Sequence, residues 1–356
     1  MRRTVQLAMF ISVIFIALLI LNYIIFSTLG YLLNVTNNII YILVILFAIS
    51  YPAAAALERT VSHLITRAFY TFSSAWLGIS IYIMIILVGY KILSIFFYIP
   101  PFSAGIVIIA LASVISAYAI LNSISAEIKE IEINIPTLKK NMDIVQLSDI
   151  HIGSVRNSGY MKKIVKKTND LKPDIVLVTG DTVDGSAKIH PGMFDAIENI
   201  KAPVFLIMGN HEFYEGLEDV LKVLETLNIT ILRDEMVEIQ DIQIIGVDYS
   251  YDKNHLKYVV SKLKIDKNKP SILMYHVPGE LEAASQANID LQLSGHTHKG
   301  QFFPFNFLGR LVFPYFNGLY SYNNTKLYVS QGTGTWGPPM RLGAKNEITL
   351  IKLKNQ

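Results

Sequence analysis

The residues best suited to chemistry are histidines and carboxylates in short, spaced motifs: Asp149-Ile150-His151, Gly180-Asp181 with Asp184 three residues on, Gly209-Asn210-His211-Glu212, His276, and His296-Thr297-His298. All their donors are nitrogen or oxygen, a set that suits Mn²⁺, Fe, Zn²⁺ or Co²⁺ better than soft ions. The chain has no cysteine, so thiolate ligands, disulfides and a cysteine nucleophile are excluded. Singly, each motif has an ordinary explanation. Asp-x-His arises by chance, a lone His276 suits a satisfied core histidine, Gly180-Asp181 suits a turn, and Asn210 suits a helix cap. Jointly they are harder to dismiss. Five of the eight histidines fall just after short apolar runs, whereas His63, His190 and His255 do not.

Those runs are the elements that must position the motifs. Ile144 to Leu147, Ile175 to Val178, Val204 to Met208, Ile242 to Val247, Ser271 to Tyr275, Leu291 to Leu293, Leu327 to Ser330 and Ile348 to Leu353 read as strands. Amphipathic stretches at Tyr160 to Leu171, Gly192 to Ile200 and Leu217 to Leu227 read as helices. Strands alternating with helices predict an α/β fold with helices covering a largely parallel sheet that becomes mixed toward its end. In such folds the loops leaving the carboxyl ends of strands meet in one crevice. Five loops then deliver metal-binding side chains to one place.

The first third of the chain has a different character. Between Val5 and Asn122 the ionisable side chains other than tyrosines are Glu58, Arg59, His63, Arg67 and Lys91 alone. Four apolar runs, Leu7 to Leu33, Ile39 to Leu57, Trp76 to Tyr98 and Phe102 to Leu121, each suffice to cross a bilayer as a helix of about 20 residues. The spacers are Asn34 to Asn38, the polar stretch Glu58 to Arg67, and Pro100-Pro101. Residues 1–125 are therefore expected to be a four-helix transmembrane anchor in contact with the lipid bilayer, and residues 140–356 a water-soluble domain. Arg2, Arg3, Arg59 and Arg67 place the N-terminus, the middle loop and the soluble domain in the cytoplasm by the positive-inside rule. Lys91 is expected to snorkel, and the spans offer no polar path for a transported solute. A net charge of +3 and the lack of an arginine-rich patch argue against nucleic-acid binding.

Ser148 to Gly153, Gly180 to Asp184, Gly209 to Glu212, His276 and Gly295 to His298 resemble, in order, the motifs of the calcineurin-like metallophosphoesterases over about residues 142 to 354. The run to Gln301, with Gly332 and Gly334, is most similar to a membrane-associated branch, although Lys299 stands where that branch usually has glycine. The resemblance implies a metallophosphoesterase-type β-sandwich flanked by helices, holding two divalent metal ions. One ion would be bound by Asp149, His151, Asp181 and His298. The other would take Asp181, Asn210, His276 and His296, with Asp181 bridging, because a carboxylate offers two anionic oxygens. His211 would be catalytic rather than a ligand. Asp184 is expected to hydrogen-bond a ligand histidine.

The expected activity is hydrolysis of phosphomonoester or phosphodiester bonds. Anchoring favours a phospholipid or lipid-linked substrate, with nucleotide-linked lipids and soluble phosphodiesters as alternatives. A slow or inactive metal-binding scaffold at the membrane is the competing reading. The aromatic-rich segment from Phe302 to Phe316 admits two roles, packing of the C-terminal part against the sheet or a membrane-dipping surface. Oligomeric state has no signature in the sequence.

Overall fold

The four apolar runs fold as helices α1 (Arg2–Leu32), α2 (Ile39–Val61), α3 (Leu64–Phe96) and α4 (Pro101–Asn122), each long and apolar enough to cross a membrane. The computed structural model describes residues 2–35 and 38–355, with side chains from Ser12 onward, so those of Arg2 and Arg3 lie outside the described residues. The stretch Glu58 to Arg67, expected as an open spacer, is mostly helical and breaks only at Ser62 and His63. His63 starts α3 itself: its Nδ1 accepts from Thr66 N–H at 3.2 Å, while Thr66 Oγ1 accepts from His63 N–H at 2.9 Å. The third span therefore begins at Leu64, well before its apolar run. Buried polar groups join the helices, as in Trp76 Nε1 donating to Asn22 Oδ1 at 3.0 Å.

Contacts divide the chain into two units, Met1–Leu121 with Gly337–Met340, and Asn122–Trp336 with Arg341–Gln356. The second unit contains β1 (Ala126–Asn134), β2 (Met142–Leu147), α5 (Ser158–Asp170), β3 (Ile175–Val178), β4 (Val204–Leu206), α6 (Asn210–Glu215), α7 (Leu217–Leu224), β5 (Thr230–Ile231), β6 (Glu235–Ile239) and β7 (Ile242–Val247). It continues with α8 (His255–Lys262), β8 (Ser271–Tyr275), α9 (Leu281–Gln286), β9 (Leu291–Ser294), α10 (Phe305–Val312), β10 (Gly318–Tyr322), β11 (Thr325–Val329) and β12 (Asn346–Lys354).

The strands form two six-stranded sheets, ordered β1-β12-β2-β3-β4-β5 and β10-β11-β9-β8-β7-β6. The second sheet has a parallel centre, β7-β8-β9-β11, with an antiparallel pair at each margin, whereas the first is parallel from β2 to β5 and antiparallel only where β12 meets β2. Side chains alternate across a strand, and here both faces are covered. Ile144, Ile175, Leu177, Ile272, Met274 and Leu293 pack between the sheets. Val145, Val176 and Val178 face α5 and its neighbours, whereas Leu273 and Tyr275 face α8 and α9. Two-sided burial explains why these strands read as unbroken apolar runs rather than alternating ones.

The expected sandwich is thus present, with three local differences. Gly192 to Ile200 forms two short 3₁₀ turns, Pro191–Met193 and Asp195–Asn199, held by i→i+3 bonds such as Ile197 N–H to Phe194 O at 2.8 Å. Strand β1 lies upstream of residue 140 and pairs in parallel with β12. The edge strands β6 and β10 carry half-buried and exposed patterns that apolar runs do not reveal.

Candidate metal centre

Each motif sits where its strand ends. Asp149 and His151 follow β2, Asp181 follows β3, Asn210 and His211 open α6 after β4, His276 follows β8, and His296 and His298 follow β9. The turns are tight enough to require unusual backbone: Asp149, His151, Asp181, His296 and His298 all have φ between 49° and 68°. Left-handed conformations are unfavourable for such residues, and their concentration here marks backbone strain held by the surrounding fold. Gly209 is required by proximity, since a Cβ there would collide with Asp181 Oδ1.

The side chains converge. Asp149, His151 and His298 form one group; His151, Asp181 and His211 a second; Asp181, His276 and His296 a third, with ligand atoms in each group within 4.8 Å of one another. Asp181 and His151 each belong to two of the three groups, and Asp181 is the carboxylate of that pair. His276 Nε2 lies 3.1 Å from Asp181 Oδ2, His298 Nε2 3.2 Å from Asp149 Oδ1, and the Nε2 atoms of His151 and His298 are 3.0 Å apart.

These contacts fit a metal better than they fit each other. His276 Nδ1 lies 2.8 Å from Thr179 O, which can only accept, so Nδ1 carries a proton. In the neutral ring Nε2 then presents a lone pair toward a carboxylate and makes no hydrogen bond. Asn210 Oδ1 and His151 Nδ1 are likewise buried without a hydrogen-bond partner. Buried polar atoms left unpaired are costly, and a cation would satisfy His276 Nε2 and Asn210 Oδ1 together.

The electrostatics express the same crowding. Burial alone would raise Asp149 and Asp181, but the neighbouring histidines hold both carboxyls below the usual range. Burial lowers His276, yet Asp181 and Asp149 outweigh it and push the ring up to about 10. A proton and a metal ion therefore compete for the same Nε2. Burial and the adjacent His276 depress His296 to about 4. His151 and His298 are also held down, chiefly by burial.

His211 stands apart by its bonds. Its N–H donates to Asp181 Oδ1 at 2.9 Å, and Nδ1 donates to Asp184 O at 3.0 Å. The ring is fixed with Nε2 facing the site, 4.0 Å from Asp181 Oδ2, and is partly open to solvent. Asp184 thus bonds His211 through its carbonyl, while its carboxylate stands 3.9 Å from His151 Nδ1, beyond hydrogen-bond reach. Burial raises the Asp184 carboxyl.

Two participants escape a reading based on ligand types. Glu212 is fully buried and accepts N–H bonds from Asp181, Thr182, Val183 and Gly209 at 2.6–3.2 Å, tying the loops after β3 and β4 together. Its place directly after Asn210-His211 was the available signal. Arg341 is also fully buried. It donates to His298 O at 2.8 Å, Gly334 O at 2.5 Å and Asn346 Oδ1 at 2.7 Å, and Nη2 lies 3.1 Å from His298 Nδ1. A guanidinium only donates, so that contact assigns Nδ1 as acceptor and puts the ring proton of neutral His298 on Nε2, facing Asp149. Ligation through Nε2 would require the other tautomer and a shift away from Arg341. No local motif marks Arg341, because its partners lie elsewhere in the chain.

Comparisons with known proteins agree with this geometry. Residues 142–300 match the family model for calcineurin-like phosphoesterase. An uncharacterized metallophosphoesterase of Helicobacter pylori is 39% identical over 240 residues, covering 65% of each chain. One from Aquifex aeolicus is 34% identical over 262 residues, covering 69% of this chain and 98% of the relative. A Bos taurus transmembrane protein with metallophosphoesterase domain is 32% identical over 273 residues, covering 69% of this chain and 61% of that one. The match thus spans just under two thirds of the Helicobacter relative's length. With its sandwich, its converging strand-end loops and these matches, the chain belongs to the calcineurin-like phosphoesterase family.

Proposed function

We propose that this membrane protein hydrolyses phosphoester bonds with two divalent metal ions, held by Asp149, His151, Asp181 and His298 and by Asp181, Asn210, His276 and His296. The observation that carries this reading is the position of Asp181, whose carboxylate has two oxygens, in two of the three groups of converging side chains. Bound divalent ions would neutralise charge on a phosphoryl group and activate water at neutral pH. The residues' own contributions follow from their placement. Asp149 and Asp181 supply anionic oxygens that stay ionised in a buried site. The carbonyl of Thr179 holds the His276 ring in the tautomer that turns a lone pair inward. His211, fixed by Asp184 O, presents Nε2 where it can hand a proton to the leaving oxygen or offset charge on the phosphoryl oxygens.

Four apolar helices in the same chain support a substrate at or near a bilayer, so a phospholipid or lipid-linked phosphoester is the substrate class proposed. Arg59 and Arg67 beside the break between α2 and α3 support a cytoplasmic catalytic domain. The test uses the full chain in detergent with bis-p-nitrophenyl phosphate and then vesicle-borne phospholipids. Turnover should require an added divalent ion and stop with chelator. Absence of turnover with Mn²⁺, Fe²⁺, Zn²⁺ and Co²⁺ alike would favour the scaffold reading.

A further inference from the structure

Helix α10 is built inside out. Asn306 and Gly309 face the domain: Asn306 Nδ2 donates to Leu342 O at 3.4 Å, and a Cβ on Gly309 would collide with the Phe316 ring. Its other large apolar residues point away, with Phe307 63%, Leu308 46%, Leu311 76% and Val312 71% exposed, while Phe305 at its start packs edge-on against Phe302 with ring centroids 5.4 Å apart. No residue of α10 is buried. Of the aromatic segment, Phe302 and Phe316 at its two ends are buried in the domain, so the packing role applies to the ends and not to the outward face of the helix between them. A surface helix normally turns its apolar stripe inward. A contiguous apolar face turned outward marks an interaction site.

Charge identifies the occupant. From Leu291 to Asn346 there is no aspartate or glutamate, whereas Lys299, Arg310 and Lys326 are cationic and at least partly open to solvent; Arg341 is buried and Lys345 pairs with Glu127. Arg310, within α10, is itself exposed. Apolar side chains beside an exposed cation, with no carboxylate in the segment, suit an anionic lipid surface, where the former enter the acyl boundary and the latter meets headgroups. The chain also brings such a surface within reach. Only Ser123, Ile124 and Ser125 separate α4 from β1, an extended span of roughly 10 Å.

We propose that α10 is a membrane-docking element that rests on the bilayer crossed by the chain's own helices. Phe313, directly after α10, touches His296 with ring centroids 5.7 Å apart. Docking through α10 therefore sets the metal centre at headgroup level. The claim concerns position, independent of which ester is cleaved.

The absence of native cysteine permits a direct test on the full chain reconstituted in vesicles of phosphatidylcholine and phosphatidylglycerol. Leu308→Cys, Leu311→Cys and, as a control at an exposed position just ahead of β2, Lys140→Cys would each carry an environment-sensitive fluorophore. Doxyl-labelled lipid should quench the probes at 308 and 311 several-fold more than the probe at 140, and aqueous iodide should show the reverse order. Equal iodide quenching at all three positions would overturn the proposal. So would probes at 308 and 311 that are shielded from iodide yet untouched by lipid quencher, which would point to a second copy covering the face. Because the readout is not turnover, it fails or succeeds separately from the phosphoesterase reading.

Discussion

At the scale of single residues, the site separates groups that would hold metal from groups that orient them. Asp181 is shared by two ligand groups, so Asp181→Ala is expected to lose most bound metal, measured as metal per chain by elemental analysis. His211→Ala should retain metal while kcat falls about 10²–10⁴-fold, the usual contribution of a positioned acid or base; metal loss in this variant would reassign His211 as a ligand. Glu212 makes a different prediction. Its four N–H donors would be left without an acceptor in Glu212→Ala, and losing even part of this network should cost on the order of 3 kcal/mol. Thermal unfolding would register that loss even in a chain stripped of metal. These distinctions were only partly legible beforehand. Ligand types and spacing pointed to Asp149, His151, Asp181, His276, His296 and His298, but the bonds of His211 and Glu212 depend on which loops face each other.

At the scale of elements, the decisive units are strand ends and the turns that leave them. Strands buried on both faces carry Val, Ile and Leu continuously, which makes β2, β3, β8 and β9 readable from the chain. The 3₁₀ turns at Pro191–Met193 and Asp195–Asn199 show the opposite case, because buried Met193, Phe194 and Ile197 fit either a helix or a tight turn. Arg341 links two elements that the sequence leaves unrelated. It binds the carbonyls of His298 and Gly334 and the side chain of Asn346, joining the loop after β9 to the start of β12. Arg341→Met should leave those buried acceptors unpaired and lower the unfolding temperature of the metal-free chain. An unchanged unfolding temperature would show that the loop holds its shape without the guanidinium.

At the scale of the whole molecule, one chain joins four apolar helices to a sandwich of the calcineurin-like phosphoesterase family. If the catalytic domain is cytoplasmic, an impermeant maleimide added to intact cells should label Asn38→Cys, in the spacer between α1 and α2, but should reach Lys140→Cys only after permeabilisation. The reverse pattern would invert the topology. The sequence alone determined the class of this protein, because long apolar runs and ordered histidine–carboxylate motifs are local properties that survive without coordinates. It also determined the donor chemistry, since residue types set which ions can bind. Only the tertiary structure decided the pairing of β1 with β12, the burial of Glu212 and Arg341, and the outward apolar face of α10. Each of these depends on what lies across a gap in the chain, and an aromatic run such as Phe302 to Phe316 reads the same whether its neighbours cover it or leave it bare.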